Sequence, residues 1–134
     1  MILRDTRIYV VEDDPFNIGI ISMLLDSQGA TVKVDGWGVD TIPNLLEFAP
    51  VDVILLDLML PNQASGYDIY RQIKEIPQLA DVPVAIISAS DPDVEMNRAR
   101  DMGLDGFISK PFDFGSFPKR VARLLHGKAV WHED

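Results

Sequence analysis

Four short apolar runs in this sequence are each followed at once by residues able to do chemistry. Ile8-Tyr9-Val10-Val11 leads into Glu12-Asp13-Asp14, and Val53-Ile54-Leu55-Leu56 into Asp57. Val84-Ala85-Ile86-Ile87 leads into Ser88, and Gly106-Phe107-Ile108 into Ser109-Lys110-Pro111. If the runs are neighbouring strands of one parallel sheet, these residues share a single rim beyond the strands' carboxyl ends, where ligands gather in open sheets. Unit charges about 4 Å apart interact by roughly 4 kcal/mol at an effective dielectric near 20. Three acids on one rim therefore repel, and their pKa values rise. Lys110 offers one compensating charge, and a hard divalent cation with oxygen ligands offers two more. Mg²⁺ binds through one or two carboxylates, keeps several waters and accepts phosphate oxygens. Such a set suits phosphoryl transfer, in which positioning and charge neutralisation do nearly all the catalysis. Asp57 stands alone after the central run and is the nucleophile of choice, while Glu12 and Asp13 serve the metal.

Each residue taken singly has a plainer explanation. Asp13 and Asp14 suit helix caps ahead of Pro15, and a lone Asp after a strand is usually a turn residue. Ser88 alone reads as a satisfied rim hydroxyl, Lys110 as a solvated lysine, and Phe107 as core. Their joint register at the ends of four runs favours the chemical reading for the set, with Asp14 retained as a cap. His126 and His132 form no convincing pair and receive no role. Trp37, between Gly36 and Gly38, is compatible with packing or with an exposed contact.

The elements that must position this rim alternate along the chain. The runs at 8, 53 and 84 are continuously apolar and rich in β-branched residues, as strands buried on both faces read. Thr31-Val32-Lys33-Val34 alternates, which suits a sheet edge, and the Asp35-Gly36 that follows supplies nothing to the rim. Residues 15 to 28 place Phe16, Ile20, Met23, Leu24 and Ser27 on one helical face, with Pro15 at the start and Gly29 as a stop. Residues 40 to 48 carry Ile42, Leu45, Leu46 and Phe48, and 66 to 76 carry Ile69, Tyr70 and Ile73. Residues 91 to 102 open on Asp-Pro-Asp and end at Gly103, and 114 to 125 carry Phe117, Val121, Leu124 and Leu125. Five βα units with short links predict a doubly wound α/β sheet with right-handed crossovers and helices on both faces. Residues 1–134 are read as one domain, with a core at about 6–126 and 127–134 as a frayed tail or linker stub.

The chain has 134 residues, of which 47% are hydrophobic and 25% charged, so a core forms without staples. The absence of cysteine excludes disulfides and thiolate metal sites. No apolar run approaches the roughly 20 residues of a membrane helix, and the first residues lack a signal-peptide pattern, which makes cytoplasmic the default expectation. A net charge of -9, from 21 acidic and 12 basic residues, disfavours direct nucleic-acid binding.

The quoted segments Val10-Val11-Glu12-Asp13-Asp14-Pro15, Leu55 to Pro61, Ile87-Ser88-Ala89 and Gly103 to Phe112 together resemble a response-regulator receiver domain of two-component signalling, over roughly residues 6 to 126. The resemblance implies a five-stranded CheY-like sheet of strand order 2-1-3-4-5. It implies that Asp57 accepts a phosphoryl group from a histidine kinase or histidine phosphotransfer protein. Asp13 and Asp57 would bind Mg²⁺ directly (Mn²⁺ as a substitute), Glu12 through water and Met59 through its backbone carbonyl. Ser88 would be the switch hydroxyl, with Ala89 leaving room beside it. Lys110 would pair with the phosphoryl group ahead of a cis peptide to Pro111, and Phe107 would be the switch aromatic. The same resemblance implies a downstream protein partner on the face of the fourth helix, fifth strand and fifth helix. It allows a homodimer, and it makes the chain a switch that catalyses only its own phosphorylation and slow autodephosphorylation.

Two features depart from the family pattern. Asn62-Gln63-Ala64-Ser65 makes the loop after Pro61 one residue longer, and the switch aromatic is Phe rather than Tyr, so it has no hydroxyl. Two other functions compete. A haloacid-dehalogenase-type phosphatase needs a second Asp two residues after the nucleophile, where this chain has Met59. A degenerate receiver acting as a scaffold would not need the complete rim set. A flavin binder of the same fold would need a Gly/Ser/Thr-rich phosphate loop in place of Glu12-Asp13-Asp14.

Overall fold

A computed structural model of the chain describes residues 1–61 and 65–131. Its strands are β1 (Arg7–Val11), β2 (Thr31–Asp35), β3 (Val53–Asp57), β4 (Val84–Ser88) and β5 (Gly106–Ser109). Helices α1 (Pro15–Asp26), α2 (Thr41–Phe48), α3 (Gly66–Lys74), α4 (Pro92–Met102) and α5 (Phe117–Leu125) alternate with them. The sheet is parallel throughout with strand order β2-β1-β3-β4-β5, the order expected. The alternating second run is indeed the edge strand. β3 and β4 are buried along their whole length, which is why they read as unbroken apolar runs.

Strand alternation divides the core into two layers. Tyr9, Val11, Ile54, Leu56, Ile86 and Phe107 face one side and pack against Leu45 of α2, Tyr67 and Ile73 of α3, and Ala99 of α4. Ile8, Val10, Leu55, Ala85, Ile87 and Ile108 face the other and pack against Ile21 and Leu25 of α1 and Phe117 and Val121 of α5. Helix starts follow from local side-chain hydrogen bonds. Asp14 accepts from the Phe16 amide, Ser65 from Tyr67 and Asp91 from Asp93, each satisfying a donor the helix leaves unpaired. Gly103 closes α4 in the left-handed region at φ 94°.

Three sequence expectations need correction. Of the face expected for α1, Leu24 is buried and Ile20 packs against the core, but Phe16 is 73% exposed and Met23 54%, and Ile21 and Leu25 complete the buried face. Apolar residues nearly encircle this helix, so spacing alone does not select the phase. Helix α5 begins at Phe117 rather than Phe114, because Asp113 accepts the Ser116 amide and holds the preceding residues in a turn. The C-terminal segment is not frayed through its described part. Val130 is fully buried and pairs with Gly106. The longer loop at Asn62, Gln63 and Ala64, and His132, lie outside the described residues.

Two glycines sit under opposite steric conditions. A Cβ on Gly66 would stand 2.5 Å from the carbonyl oxygen of Asp57, whereas one on Gly19 would meet nothing within 4 Å. Gly66→Ala is expected to destabilise the protein by about 1–3 kcal/mol, as backbone must move away. Gly19→Ala is expected to stabilise it by about 0.5–1 kcal/mol through helix propensity. Urea denaturation of the two variants beside the parent checks both signs.

Candidate functional site

Sheet register sets the rim. Val11 pairs with Leu56, Asp57 with Ile87, and Ser88 with Ser109. Glu12, Asp57, Ser88 and Lys110 therefore arrive at nearly one level at the carboxyl end of four adjacent strands. Two backbone bonds hold the ends together: the Lys110 amide donates to the Ser88 carbonyl at 2.8 Å, and the Leu58 amide to the Ile87 carbonyl at 3.3 Å.

Lys110 ties the acids together. Its Nζ lies 2.5 Å from Glu12 Oε1 and 3.3 Å from Asp57 Oδ2. Glu12 is fully buried and Asp57 is 7% exposed, so two carboxylates compete for one ammonium in a poorly solvated place. Glu12 Oε2 accepts from the amides of Asp13 and Asp14, at 3.0 and 3.3 Å. Oε1 makes no directional hydrogen bond despite the nearby Lys110, so its distance marks an ion pair with acceptor capacity left over. Carboxylate oxygens of Glu12, Asp13 and Asp57 lie within 4.8 Å of one another. An all-oxygen anionic set with more carboxylate charge than Lys110 neutralises fits a hard divalent cation.

The electrostatics are visible in Asp57. Burial pushes its carboxyl pKa from the usual 3.8 up to about 7; the hydrogen bond and charge of Glu12 add to the rise, and Lys110 opposes it. Beside it lies a cleft of about 340 Å³ lined by Asp57, Met59, Ser88, Ala89, Ser90 and Lys110. The Met59 side chain is 73% exposed, and Ser88 is buried at 2%. Ser88 Oγ accepts the Ser90 amide at 2.9 Å. Phe107 is wholly buried in the layer with Ala99 of α4. The Lys110–Pro111 peptide is cis, as the resemblance implies. Asp13 is exposed at the mouth of the site. His126 is exposed at the end of α5, away from the rim set.

Asp35, which sequence reasoning left without a place, anchors the rim from the side. Its carboxylate accepts from Tyr9 Oη at 2.8 Å, Thr41 Oγ1 at 2.9 Å, and the Trp37 and Gly38 amides at 3.0 and 3.1 Å. Its carbonyl accepts the Glu12 amide at 3.1 Å. Burial raises its pKa, but the hydrogen bonds from Tyr9, Gly38, Trp37 and Thr41 outweigh this, and the carboxyl ends below its usual value. The signal for it was local: an Asp followed by glycines and a hydroxyl residue favours a side-chain-closed turn. Trp37 itself is 67% exposed.

An open parallel sheet of this strand order, with acids, a serine and a lysine on its carboxyl rim, defines a receiver-type signalling module. The chain belongs to the response regulator receiver domain family, whose model matches residues 8–122. It is 30% identical over 119 residues to the DNA-binding dual master transcriptional regulator RpaA of Synechocystis sp., covering 89% of this chain and 48% of that protein. It is 33% identical over 120 residues to the response regulator ArlR of Staphylococcus epidermidis, covering 90% and 52%. The chain thus spans about half the length of these curated relatives. The non-phosphorylated HemR receiver domain of Leptospira biflexa superimposes with a TM-score of 0.78 at 27% identity, over 90% of this chain and 94% of that one. Among the described residues, no helix is long and apolar enough to cross a membrane.

The raised Asp57 carboxyl has a measurable consequence. Its protonated form favours the folded state, so this contribution is present below about pH 4 and is lost as pH rises through about 7. In chelator, Asp57→Asn is expected to match the parent near pH 4 and exceed it at pH 8 by on the order of 3 kcal/mol. Mg²⁺ added at pH 8 is expected to narrow that gap. Chemical denaturation across this pH range reads both effects.

Proposed function

We propose that Asp57 accepts a phosphoryl group, and that the rim residues turn its arrival into a conformational signal. The observation that supports this most is the Lys110 ammonium bridging buried Glu12 and Asp57 at the edge of an open cleft. An Asp57 carboxylate oxygen attacks phosphorus in line, forming the acyl-phosphate P–O bond. The donor's P–N bond breaks, and its histidine leaves with the electron pair and takes up a proton. Lys110 neutralises the equatorial phosphoryl oxygens, which gain charge in the transition state. Asp13, Asp57 and the Met59 carbonyl would hold Mg²⁺ directly and Glu12 through water; when bound it supplies further neutralisation of the phosphoryl oxygens. Ser88 hydrogen-bonds the new phosphoryl group, and Ala89 leaves room for it. Hydrolysis by water entering past Met59 and Ser90 returns the switch to rest.

The donor class is a histidine kinase or histidine phosphotransfer protein in the cytoplasm. The partner face is α4, β5 and α5, where Phe107 and Ser88 face the same apolar layer. Residues 1–134 act as one receiver unit in this reading. Phosphorylation biases a two-state equilibrium by its differential contacts, and Ser88 supplies that difference.

Incubation with acetyl phosphate and Mg²⁺, followed by intact-mass measurement, is expected to show one added phosphoryl group on the parent and none on Asp57→Asn. Lys110→Gln is expected to slow incorporation about 100-fold. Incorporation that survives in Asp57→Asn, or that is indifferent to chelation of Mg²⁺, overturns the assignment.

A further inference from the structure

The segment after α5 takes no part in the rim, yet it is held by three elements. Gly127 turns the chain at φ 78°, and the Lys128 amide returns to the Arg123 carbonyl at 2.9 Å. The chain then runs along the outer edge of β5. The Val130 amide donates to the Asp105 carbonyl at 2.9 Å, and the Phe107 amide donates to the Val130 carbonyl at 2.8 Å, forming a parallel bridge between Gly106 and Val130. Val130 is fully buried with Leu124 and Ile108, while Trp131 packs on the opposite layer with Phe107 and Leu104. Arg100 of α4 stands 4.6 Å over the Trp131 ring, and Arg120 of α5 donates to the Trp131 carbonyl at 3.2 Å. Gly106 makes the approach possible. A Cβ there would stand 2.6 Å from the Val130 carbonyl oxygen.

We propose that the outer edge of β5 is a strand-acceptor site for an extended peptide, filled in cis by the chain's own Ala129–Trp131. The site reads three things: an empty side-chain position at 106, a branched apolar residue entering between β5 and α5, and an aromatic ring beneath Arg100. Main-chain hydrogen bonds give affinity and the two pockets give selectivity, as in strand addition to any open sheet edge. Tethering through Gly127 gives the cis segment an effective concentration on the order of millimolar. A molecule using α4, β5 and α5 therefore meets this strap or displaces it. That consequence rests on the partner face proposed above; the acceptor site itself does not, and no step in it involves phosphorylation.

Amide hydrogen exchange on the full chain tests the site. The Phe107 amide lies on the outer edge of β5 and has Val130 as its partner, so it is expected to exchange slowly in the parent. Val130→Asp places a carboxylate in the apolar cluster of Ile108 and Leu124, and the strap is expected to leave. Phe107 protection should then fall by at least about 100-fold, with Ile54 and Leu56 amides in β3 unchanged. A synthetic peptide of residues 127–134 at millimolar concentration should restore protection in Val130→Asp and have no effect on the parent. Should that variant fail to fold, Trp131→Ala, which truncates a half-buried side chain, carries the same comparison with a smaller loss. Rapid Phe107 exchange in the parent overturns the proposal, as does unchanged protection in a folded variant or indifference to the peptide. Intact-mass phosphorylation of the same samples reports Asp57 separately, so failure of the acceptor role and failure of the strap are told apart.

Discussion

One ammonium placed between two buried carboxylates governs the carboxyl end of this sheet. Glu12 and Asp57 are out of solvent, and Lys110 touches both. Removing either acid from water costs several kcal/mol unless it is paired, and a single lysine does not fully compensate two. The remaining imbalance appears as the upward shift of Asp57 and as an acceptor atom on Glu12 without a directional partner. A site left short of positive charge in this way selects for cations and for electrophiles that carry them. The same imbalance explains why so much backbone is spent fixing the three residues. Asp13 and Asp14 amides hold Glu12, the Ser88 carbonyl holds Lys110, and Gly66 lets α3 start directly against the Asp57 carbonyl.

Rigid support reaches the rim from its flank as well. Asp35 closes the turn after β2 with four hydrogen bonds and passes its carbonyl to the Glu12 amide. Tyr9, in the middle of β1, reaches the same carboxylate with a hydroxyl whose own pKa is driven upward by burial and then by Asp35. Glu12, one of the metal-ligand candidates, is thus positioned by an acid whose own carboxylate is taken up by hydrogen bonds.

How far the structure is legible in the sequence depends on what each stretch has to bury. β3 and β4 are covered on both faces, so their apolar runs are unambiguous and the residue after each run falls on the rim. That placed Glu12, Asp57, Ser88 and Lys110 together, and the strand order followed from the resemblance these residues carry. The phase of α1 was legible only in part: Leu24 and Ile20 fall on the core side, but Phe16 and Met23 satisfy helical spacing as well as Ile21 and Leu25 do. The C-terminal segment looked like a polar tail because its anchoring is mostly main-chain: one strand bridge admitted by Gly106, with a single buried valine. Backbone pairing of a three-residue segment leaves no periodicity to read. Asp35 escaped for a similar reason, since its partners are an amide pair, a strand tyrosine and a threonine six residues on.

The two apolar layers lie on opposite faces of the sheet. Ser88, by alternation with Val84 and Ile86, faces the layer that also holds Phe107 and Ala99, while α1 and α5 rest on the other. A rearrangement that begins at Ser88 therefore meets side chains of α3 and α4 before any of α1. The outward-turned Phe16 and Met23 of α1 therefore lie across the sheet from the layer that Ser88 faces.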